Sequence, residues 1–172
     1  MAITLTLQTD ETMRVLATME GHLQNLGPPL EATKELLLTS VRDNFAQGGR
    51  PQPWAPLRRS RRRGSLGSAI PLNDTGVLRA SIAGEVSGNT VTIGTNLAYA
   101  AIHNFGGTVS IPEIVARPGH ALRWIGDDGQ PVFARRVRAH TVVIPQREFL
   151  VIQDQDITDI VEVFQKYITG GA

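Results

Sequence analysis

Residues 9–49 read TDETMRVLATMEGHLQNLGPPLEATKELLLTSVRDNFAQGG, and this stretch sets the architecture expected at the N-terminus. After a cap at Thr9 or Asp10, apolar residues recur every three or four positions, which predicts an amphipathic helix. Gly27-Pro28-Pro29 ends that helix, because proline has no N–H to donate. A second helix follows and stops at Gly48-Gly49. The two stretches predict an antiparallel helical hairpin, with apolar stripes at Met13, Leu16, Met19, Leu23 and Leu26, and at Leu30, Leu37, Val41 and Phe45.

Outward from this stretch, short strands alternate with turns. Ile3, Leu5 and Leu7 alternate with polar residues and predict an N-terminal strand. Residues 85–94 and 123–134 each place apolar residues on both sides of a Gly-rich turn, which is typical of β-hairpins. Residues 99–105 predict a short helix, and residues 144–150 are extended. A closing helix, capped at Asp154 or Asp156, carries an apolar face of Ile157, Ile160, Val161, Phe164 and Ile168.

This order of elements predicts an α+β fold with an N-terminal helical hairpin, a small, mainly antiparallel sheet with hairpin extensions, and a C-terminal helix. We expect a single domain over residues 1–172. A long Pro/Arg/Gly-rich loop spans about 48–73, and a β-hairpin extension spans about 108–143. The residues predicted to form the core of the sheet region and its flanks are Leu78, Ile82, Val91, Ile93, Tyr99, Phe105, Phe149 and Leu150.

Composition narrows the class of protein. The 172 residues include 41% hydrophobic and 19% charged side chains, as expected for a folded globular chain. Zero cysteines exclude disulfides, thiol catalysis and thiolate metal sites. No apolar run has the length of a membrane span, and the N-terminus lacks a secretory pattern. We therefore expect synthesis in the cytoplasm and no membrane partner.

Charge is unevenly distributed along the chain. Residues 1–49 carry three basic and six acidic side chains, residues 50–147 carry thirteen and five, and residues 148–172 carry one and five. All but two of the basic residues are arginine, which favours fixed bidentate pairing with carboxylates or phosphates. A basic middle between acidic flanks is suited to polyanions or to acidic faces of neighbouring copies.

Catalytic and cofactor patterns find no support. The four histidines His22, His103, His120 and His140 lack metal-ligand spacing. Residues 64–68, GSLGS, lack the Gly-Lys-Ser/Thr ending of a phosphate loop. Asp127 and Asp128 lie in a predicted hairpin turn, which favours aspartate for backbone reasons. We expect no enzyme activity, no metal and no cofactor.

The strongest feature is a basic run in the long loop, which lies close to Trp54 and comprises Arg58, Arg59, Arg61, Arg62 and Arg63. One interpretation is an arm that docks on an acidic protein. A second is salt-dependent DNA contact, in which each arginine neutralises a phosphate. A third is a passive, solvated loop. Charge pattern alone leaves all three open, and Trp54 joins the arginines as an interface or DNA-contact candidate.

Four phrases, taken in order, carry a family resemblance: RPQPWAPL at 50–57, LNDTGVLRASI at 72–82, VTIGTNLAYAAIHNFGG at 91–107 and IPQREFL at 144–150. The ordered set resembles the phage virion morphogenesis family, the tail-completion proteins of Mu-like and related tailed phages. Two positions depart from the family pattern. Glu148 stands where a second proline is usual, and Asn104 stands where glutamine is usual.

The resemblance implies a structural, non-enzymatic protein of the virion, in the tail or neck. It would complete the tail or form part of the head–tail junction, as a ring of six or more subunits. Its partners would be connector or neck proteins and tail tube or terminator proteins, with possible contact to DNA in the lumen. The alternative function is a non-enzymatic DNA-binding module that uses Arg58–Arg63.

Overall fold

A computed structural model describes residues 10–57, 70–126 and 129–170. Within these ranges the helices are α1 (Asp10–Gln24), α2 (Gly27–Gln47), α3 (Val77–Ala80), α4 (Ala100–Phe105) and α5 (Asp154–Ile168). The strands are β1 (Ala83–Ser87), β2 (Thr90–Gly94), β3 (Gly107–Ile111), β4 (Ile114–Val115), β5 (Leu122–Ile125), β6 (Pro131–Ala134), β7 (Arg136–Val137) and β8 (His140–Ile144). The α+β class predicted from the sequence is confirmed. The chain divides into two compact units, unit 1 (Met1–Ala100 and Glu148–Ala172) and unit 2 (Ala101–Arg147).

Unit 1 is built around α2, which packs against α5 and against the β1–β2 hairpin. The hairpin pairs Ser87 with Thr90 across a Gly88-Asn89 turn, as its sequence predicts. At the centre of the unit, the Phe45 ring of α2 packs edge-on against Trp54 and at a tilt against Phe149. The centroids of these two rings lie 5.6 and 5.3 Å from the centroid of Phe45. The buried apolar cluster at this centre comprises Val41, Phe45, Trp54, Leu78, Ala100 and Phe149.

Unit 2 contains a long antiparallel ribbon. Its strands pair two by two, β3 with β8, β4 with β7 and β5 with β6. Gly107 faces Ile144, and Val115 faces Arg136, in one continuous register. The register then changes, because the six residues 116–121 connect β4 to β5 whereas Arg135 alone connects β6 to β7, and Leu122 faces Ala134. The predicted hairpin at 123–134 is therefore confirmed as the outer end of this ribbon.

The structure shows both predicted N-terminal helices, but the main contacts of α1 are with α5 rather than with α2, so the predicted antiparallel pairing of α1 with α2 is not confirmed. Gly27-Pro28-Pro29 forms the first turn of α2 rather than a separate turn. Proline is tolerated there because the first N–H groups of a helix have no intrahelical partner. Helix α1 contacts α5 near its C-terminal end, where His22 stacks on Tyr167 and the Tyr167 hydroxyl donates to the Asn25 carbonyl over 2.6 Å. The predicted strand at Ile3–Leu7 lies outside the described residues.

The cap of α5 also differs from the prediction. The N-cap is Gln153, and neither Asp154 nor Asp156 holds that position. The Gln153 backbone N–H donates to Oδ2 of Asp156 over 2.8 Å. An acidic side chain at the third helical position thus satisfies an N–H at the helix start, which a search for a preceding aspartate overlooks.

Most of the predicted core is confirmed. Leu78 and Phe149 are buried, and Ile82, Ile93 and Leu150 pack against the buried cluster. Val91 is half-buried.

Two of the core predictions are wrong, because Tyr99 is 44% exposed and Phe105 is 72% exposed. Helix α4 buries Ala100 and Asn104, which are four residues apart and so share one face. Phe105 is one residue beyond that face, about 100° further round the helix, and therefore points outward.

Candidate interface

No catalytic constellation is found in the parts of the chain that the structure describes. In these ranges, no group of three His, Asp or Glu side chains lies close enough to hold a metal ion. His22 stacks on Tyr167, with its Nδ1 3.2 Å from the Ile168 carbonyl, and His120 and His140 are exposed. An open depression of about 400 Å³ on unit 2 has no acidic lining residue, and is lined by Val115, Ala116, Arg117, His120, Ala121 and Leu122.

The surroundings of His103 disfavour its charged form. Burial lowers the pKa of His103, and the positive charge of Arg147 lowers this pKa further. The two residues are joined through the backbone, since the Arg147 N–H donates to the His103 carbonyl over 2.8 Å. Burial also lowers the pKa of Arg147 itself. A lowered pKa of this origin is consistent with a packing role for the His103 ring.

Trp54 lies in the core and not on the surface. Its side chain is 9% exposed, packs edge-on against Phe45, and donates its indole N–H to the Glu148 carbonyl over 2.9 Å. This burial argues against the prediction that Trp54 contacts a partner or DNA. The sequence could not separate these two roles, because a tryptophan beside prolines and a basic run has the same sequence signature whether it anchors the loop in the core or binds a partner.

The predicted run Arg58, Arg59, Arg61, Arg62 and Arg63 lies outside the described residues. The structure does show how the chain on either side of it is held. Before the run, the Trp54 N–H donates to the Gly48 carbonyl over 2.7 Å. After the run, the Asn73 side-chain amide donates to the Phe45 carbonyl over 3.1 Å. Both flanks of the basic segment are therefore tied to the C-terminal end of α2.

A buried polar network holds the first flank in place. The Arg50 guanidinium donates to the Ser40 carbonyl and to Oδ1 of Asn44, over 2.6 and 2.8 Å. The Ser40 hydroxyl donates to Oδ2 of Asp156 over 2.8 Å, and the Asn44 amide donates to the Phe149 carbonyl over 3.0 Å. The Gln153 side chain donates back to the Arg50 carbonyl over 3.0 Å. This network joins α2, the 48–54 segment and α5, and it uses residues of two of the four resemblance phrases.

Replacing Trp54 by phenylalanine tests its placement. We expect the free energy of unfolding to fall by about 1–3 kcal/mol, because the Glu148 carbonyl loses its donor and a small void opens. Urea unfolding followed by circular dichroism measures this loss. The matched control is Trp124→Phe, at a 40% exposed position on the ribbon, where the change stays within about 0.5 kcal/mol. Equal small losses in both variants would contradict the core assignment.

Two surfaces outside the predicted site present exposed apolar side chains. On unit 1, helix α1 buries no residue, and exposes Met13, Val15, Leu16 and Leu23, while α5 exposes Ile157 and Val161. On unit 2, the ribbon exposes Val109, Ile114, Val115, Trp124, Ile125, Phe133, Val142 and Val143. Surfaces of this kind on a folded chain are typical of protein–protein contacts.

The two surfaces have opposite charge. Helix α5 carries four acidic side chains and one lysine, and α1 carries three acidic side chains and one arginine. The described part of the ribbon exposes Arg117, Arg123, Arg135, Arg136 and Arg138. Its one described acidic residue is Glu113, whose Oε1 lies 3.2 Å from Nε of Arg136. The interface candidates predicted from the sequence were confined to Trp54 and Arg58–Arg63, so they included neither the apolar residues of α5 nor the arginines of the ribbon. The available signal was the placement of arginines directly beside apolar residues in the predicted strands, at 123–125 and 133–136.

The family follows from comparison with known proteins. The chain belongs to the phage virion morphogenesis family, whose model matches residues 7–169. A curated relative, Mu-like prophage FluMu G protein 2 of Haemophilus influenzae, is 34% identical over 152 residues, which cover 88% of this chain and 83% of the relative. No solved structure gives a significant match. The resemblance drawn from the four phrases is thereby confirmed, and the chain has a structural role in phage morphogenesis.

Membership of this family also indicates that the protein is associated with the virion. Among the described helices, none combines the length and the apolar character needed to cross a lipid bilayer.

Proposed function

We propose that this chain is a non-enzymatic structural component that completes the phage tail or forms part of the head–tail junction. It assembles as a ring of six or more subunits, and it docks to connector or neck proteins and to tail tube or terminator proteins. The observation that carries the proposal is the family match, which extends over residues 7–169. The uncovered apolar surfaces on both units support it, because assembly buries such surfaces.

The basic run contributes a docking arm in this proposal. Arg50, the Trp54 backbone N–H and Asn73 tie the chain on both sides of the run to the end of α2. The arginines then contact an acidic neighbour, a connector protein or DNA in the lumen. Arginine suits each of these partners, since its planar guanidinium pairs with two oxygens of a carboxylate or phosphate at once.

In vitro complementation tests the role. Lysate of a phage that lacks this protein is inspected by electron microscopy, purified protein is added, and infectious particles are counted. We expect separate filled heads and tails before addition, and joined infectious particles afterwards. Joined, infectious particles in the absence of the protein would refute the proposal. Mass spectrometry of purified virions and tails tests whether the protein resides in the tail or neck.

The docking arm is tested by replacing the five arginines of Arg58–Arg63 with serine. We expect the protein to stay folded and the yield of joined particles to fall tenfold or more, because the arm loses its charge. The control replaces the same five residues with lysine, which keeps the charge. The lysine variant separates charge from bidentate geometry. Normal joining by the serine variant would overturn the docking arm and leave the rest of the proposal standing.

A further inference from the structure

We propose that the outer end of the ribbon of one copy docks on helix α5 of a second copy, so that the chain associates head to tail. The ribbon contributes a tip face, defined as Arg123, Ile125 and Phe133. Helix α5 contributes an α5 stripe, defined as Ile157 and Val161 flanked by Asp154 and Glu162. The inference names the self-contact that the ring in the proposed function requires, and it rests on that proposed function.

The three residues of the tip face share one side of the β5–β6 pair. Arg123 is directly opposite Phe133, with its guanidinium carbon 6.0 Å from the ring centroid. Ile125 lies two residues along the same strand and therefore on the same side. Phe133 is 62% exposed and Ile125 is 48% exposed. The tip face thus presents an aromatic ring and an aliphatic side chain beside a fixed cation.

A two-stranded ribbon does not cover such a face by itself. The described strands of unit 2 pair only two by two, so the tip face has no second sheet behind it within the unit. Isolated two-stranded ribbons are marginally stable in water, and a bound surface that buries their apolar side chains stabilises them. The exposed tip face therefore calls for a partner surface that is itself partly apolar.

The α5 stripe has the complementary character. Ile157 is 54% exposed, and Val161 is one helical turn along and 47% exposed, which places the two side chains next to each other. The buried residue of α5 is Asp156, which faces α2 through Ser40, so the stripe lies beside the packed face of the helix. Asp154 lies one turn before Ile157, and Glu162 follows Val161. The stripe thus presents two aliphatic side chains between carboxylates.

A second copy is the occupant that these surfaces favour. The basic, apolar tip face matches the acidic, apolar α5 stripe in both respects, and every copy carries one of each. Contacts between two different faces of the same chain are heterologous, and they generate rings when the rotation closes. Nucleic acid matches only the arginine, because phosphate contacts do not reward burial of phenylalanine and isoleucine. The same contact between copies also accounts for the acidic C-terminal flank and the basic middle of the sequence, since the two regions would meet in neighbouring subunits.

Two double variants test the contact in the full-length protein. The ribbon variant carries Arg123→Ser and Phe133→Ser, and the helix variant carries Ile157→Ser and Val161→Ser. Sedimentation velocity at roughly 100 μM detects self-association with micromolar dissociation constants. We expect the wild type to associate, and each double variant to associate at least tenfold more weakly, because each loses its central apolar contacts.

Mixing the two variants distinguishes a head-to-tail contact from other arrangements. An equimolar mixture retains one intact α5 stripe, on the ribbon variant, and one intact tip face, on the helix variant. We expect it to form a heterodimer that does not grow further, which native mass spectrometry identifies by mass. The matched controls are Val77→Ser and Val143→Ser, at exposed valines outside the tip face and the α5 stripe, and we expect both to associate as the wild type does. Circular dichroism confirms that each variant is folded.

Three results would overturn the inference. The first is a wild type that stays monomeric, and the second is a mixture of the two variants that forms no heterodimer. The third is a ribbon variant that loses binding to random duplex DNA while its self-association is unchanged, which assigns the tip face to nucleic acid. Complementation is measured separately. A monomeric wild type that still joins heads to tails refutes the self-contact alone. A protein that associates head to tail but joins no particles refutes the proposed function alone.

Discussion

Replacing Phe149 by alanine is expected to lower the free energy of unfolding by about 3–5 kcal/mol. The Phe149 side chain is fully buried and packs 5.3 Å from the ring of Phe45, and the Phe149 carbonyl accepts the amide of Asn44. Truncation leaves a cavity at the point where α2 meets the chain that leads into α5. Because a domain is stabilised by only about 5–15 kcal/mol in total, this loss brings the protein close to unfolding.

Urea unfolding followed by circular dichroism measures the effect. The control is Phe105→Ala, which makes the same chemical change at a position that is 72% exposed. We expect the control to change stability by less than about 0.5 kcal/mol, since the surrounding water already contacts that ring. A large loss at Phe105 together with a small loss at Phe149 would reverse the assignment of core and surface given above.

Replacing Gly49 by alanine is expected to destabilise unit 1 by about 2–5 kcal/mol, the combined cost of backbone strain and overpacking. Gly49 has a φ of +111°, which side-chain-bearing residues rarely adopt. A Cβ there would lie 2.7 Å from the Gln52 carbonyl oxygen and 2.8 Å from the Trp54 nitrogen, and both are backbone atoms that cannot rotate away. The substitution therefore pushes the 48–54 segment off the end of α2.

Gly88→Ala provides the matched control. Gly88 also has a positive φ, +57°, but nothing lies within 4 Å of a Cβ built there. This control carries only the backbone cost, about 1–2 kcal/mol. The difference between the two variants, measured by thermal unfolding, isolates the cost of the close packing of Gly49 against the backbone of Gln52 and Trp54. Equal losses of stability in the two variants would show that the 48–54 segment adjusts freely and that Gly49 matters only through its backbone angle.

The sequence pattern predicted the type of α1, α2, α4 and α5 and of the strands in the β1–β2 and β5–β6 hairpins, because apolar spacing reports directly on helix or strand geometry. It predicted the buried side of α2 at Leu30, Val41 and Phe45. It did not predict that Ser40 and Asn44 are buried on the same helix. Polar residues enter a core only where partners satisfy them, and here those partners are Asp156 and Phe149, more than a hundred residues away in the chain.

The same reasoning explains the errors at the surface. An apolar face on a helix shows that the face is covered in the functional state, but it does not identify the covering partner. Ile157 and Val161 belong to the apolar face predicted for α5, and within one chain both are exposed. Trp54 shows the reverse case, since its position beside the arginines predicted an interface while its ring completes the core.

By itself, therefore, the sequence determined the four longer helices and the two β-hairpins, the separation of acidic flanks from a basic middle, and the family, because each depends on local spacing or on ordered phrases. Only the tertiary structure decided which apolar residues are buried, how Arg50 joins α2 to the chain before α5, and where uncovered apolar surface lies. The physical reason is that burial depends on contacts between residues far apart in the chain. A local pattern shows that a side chain prefers to leave water, and the fold decides whether its own chain or another molecule receives it.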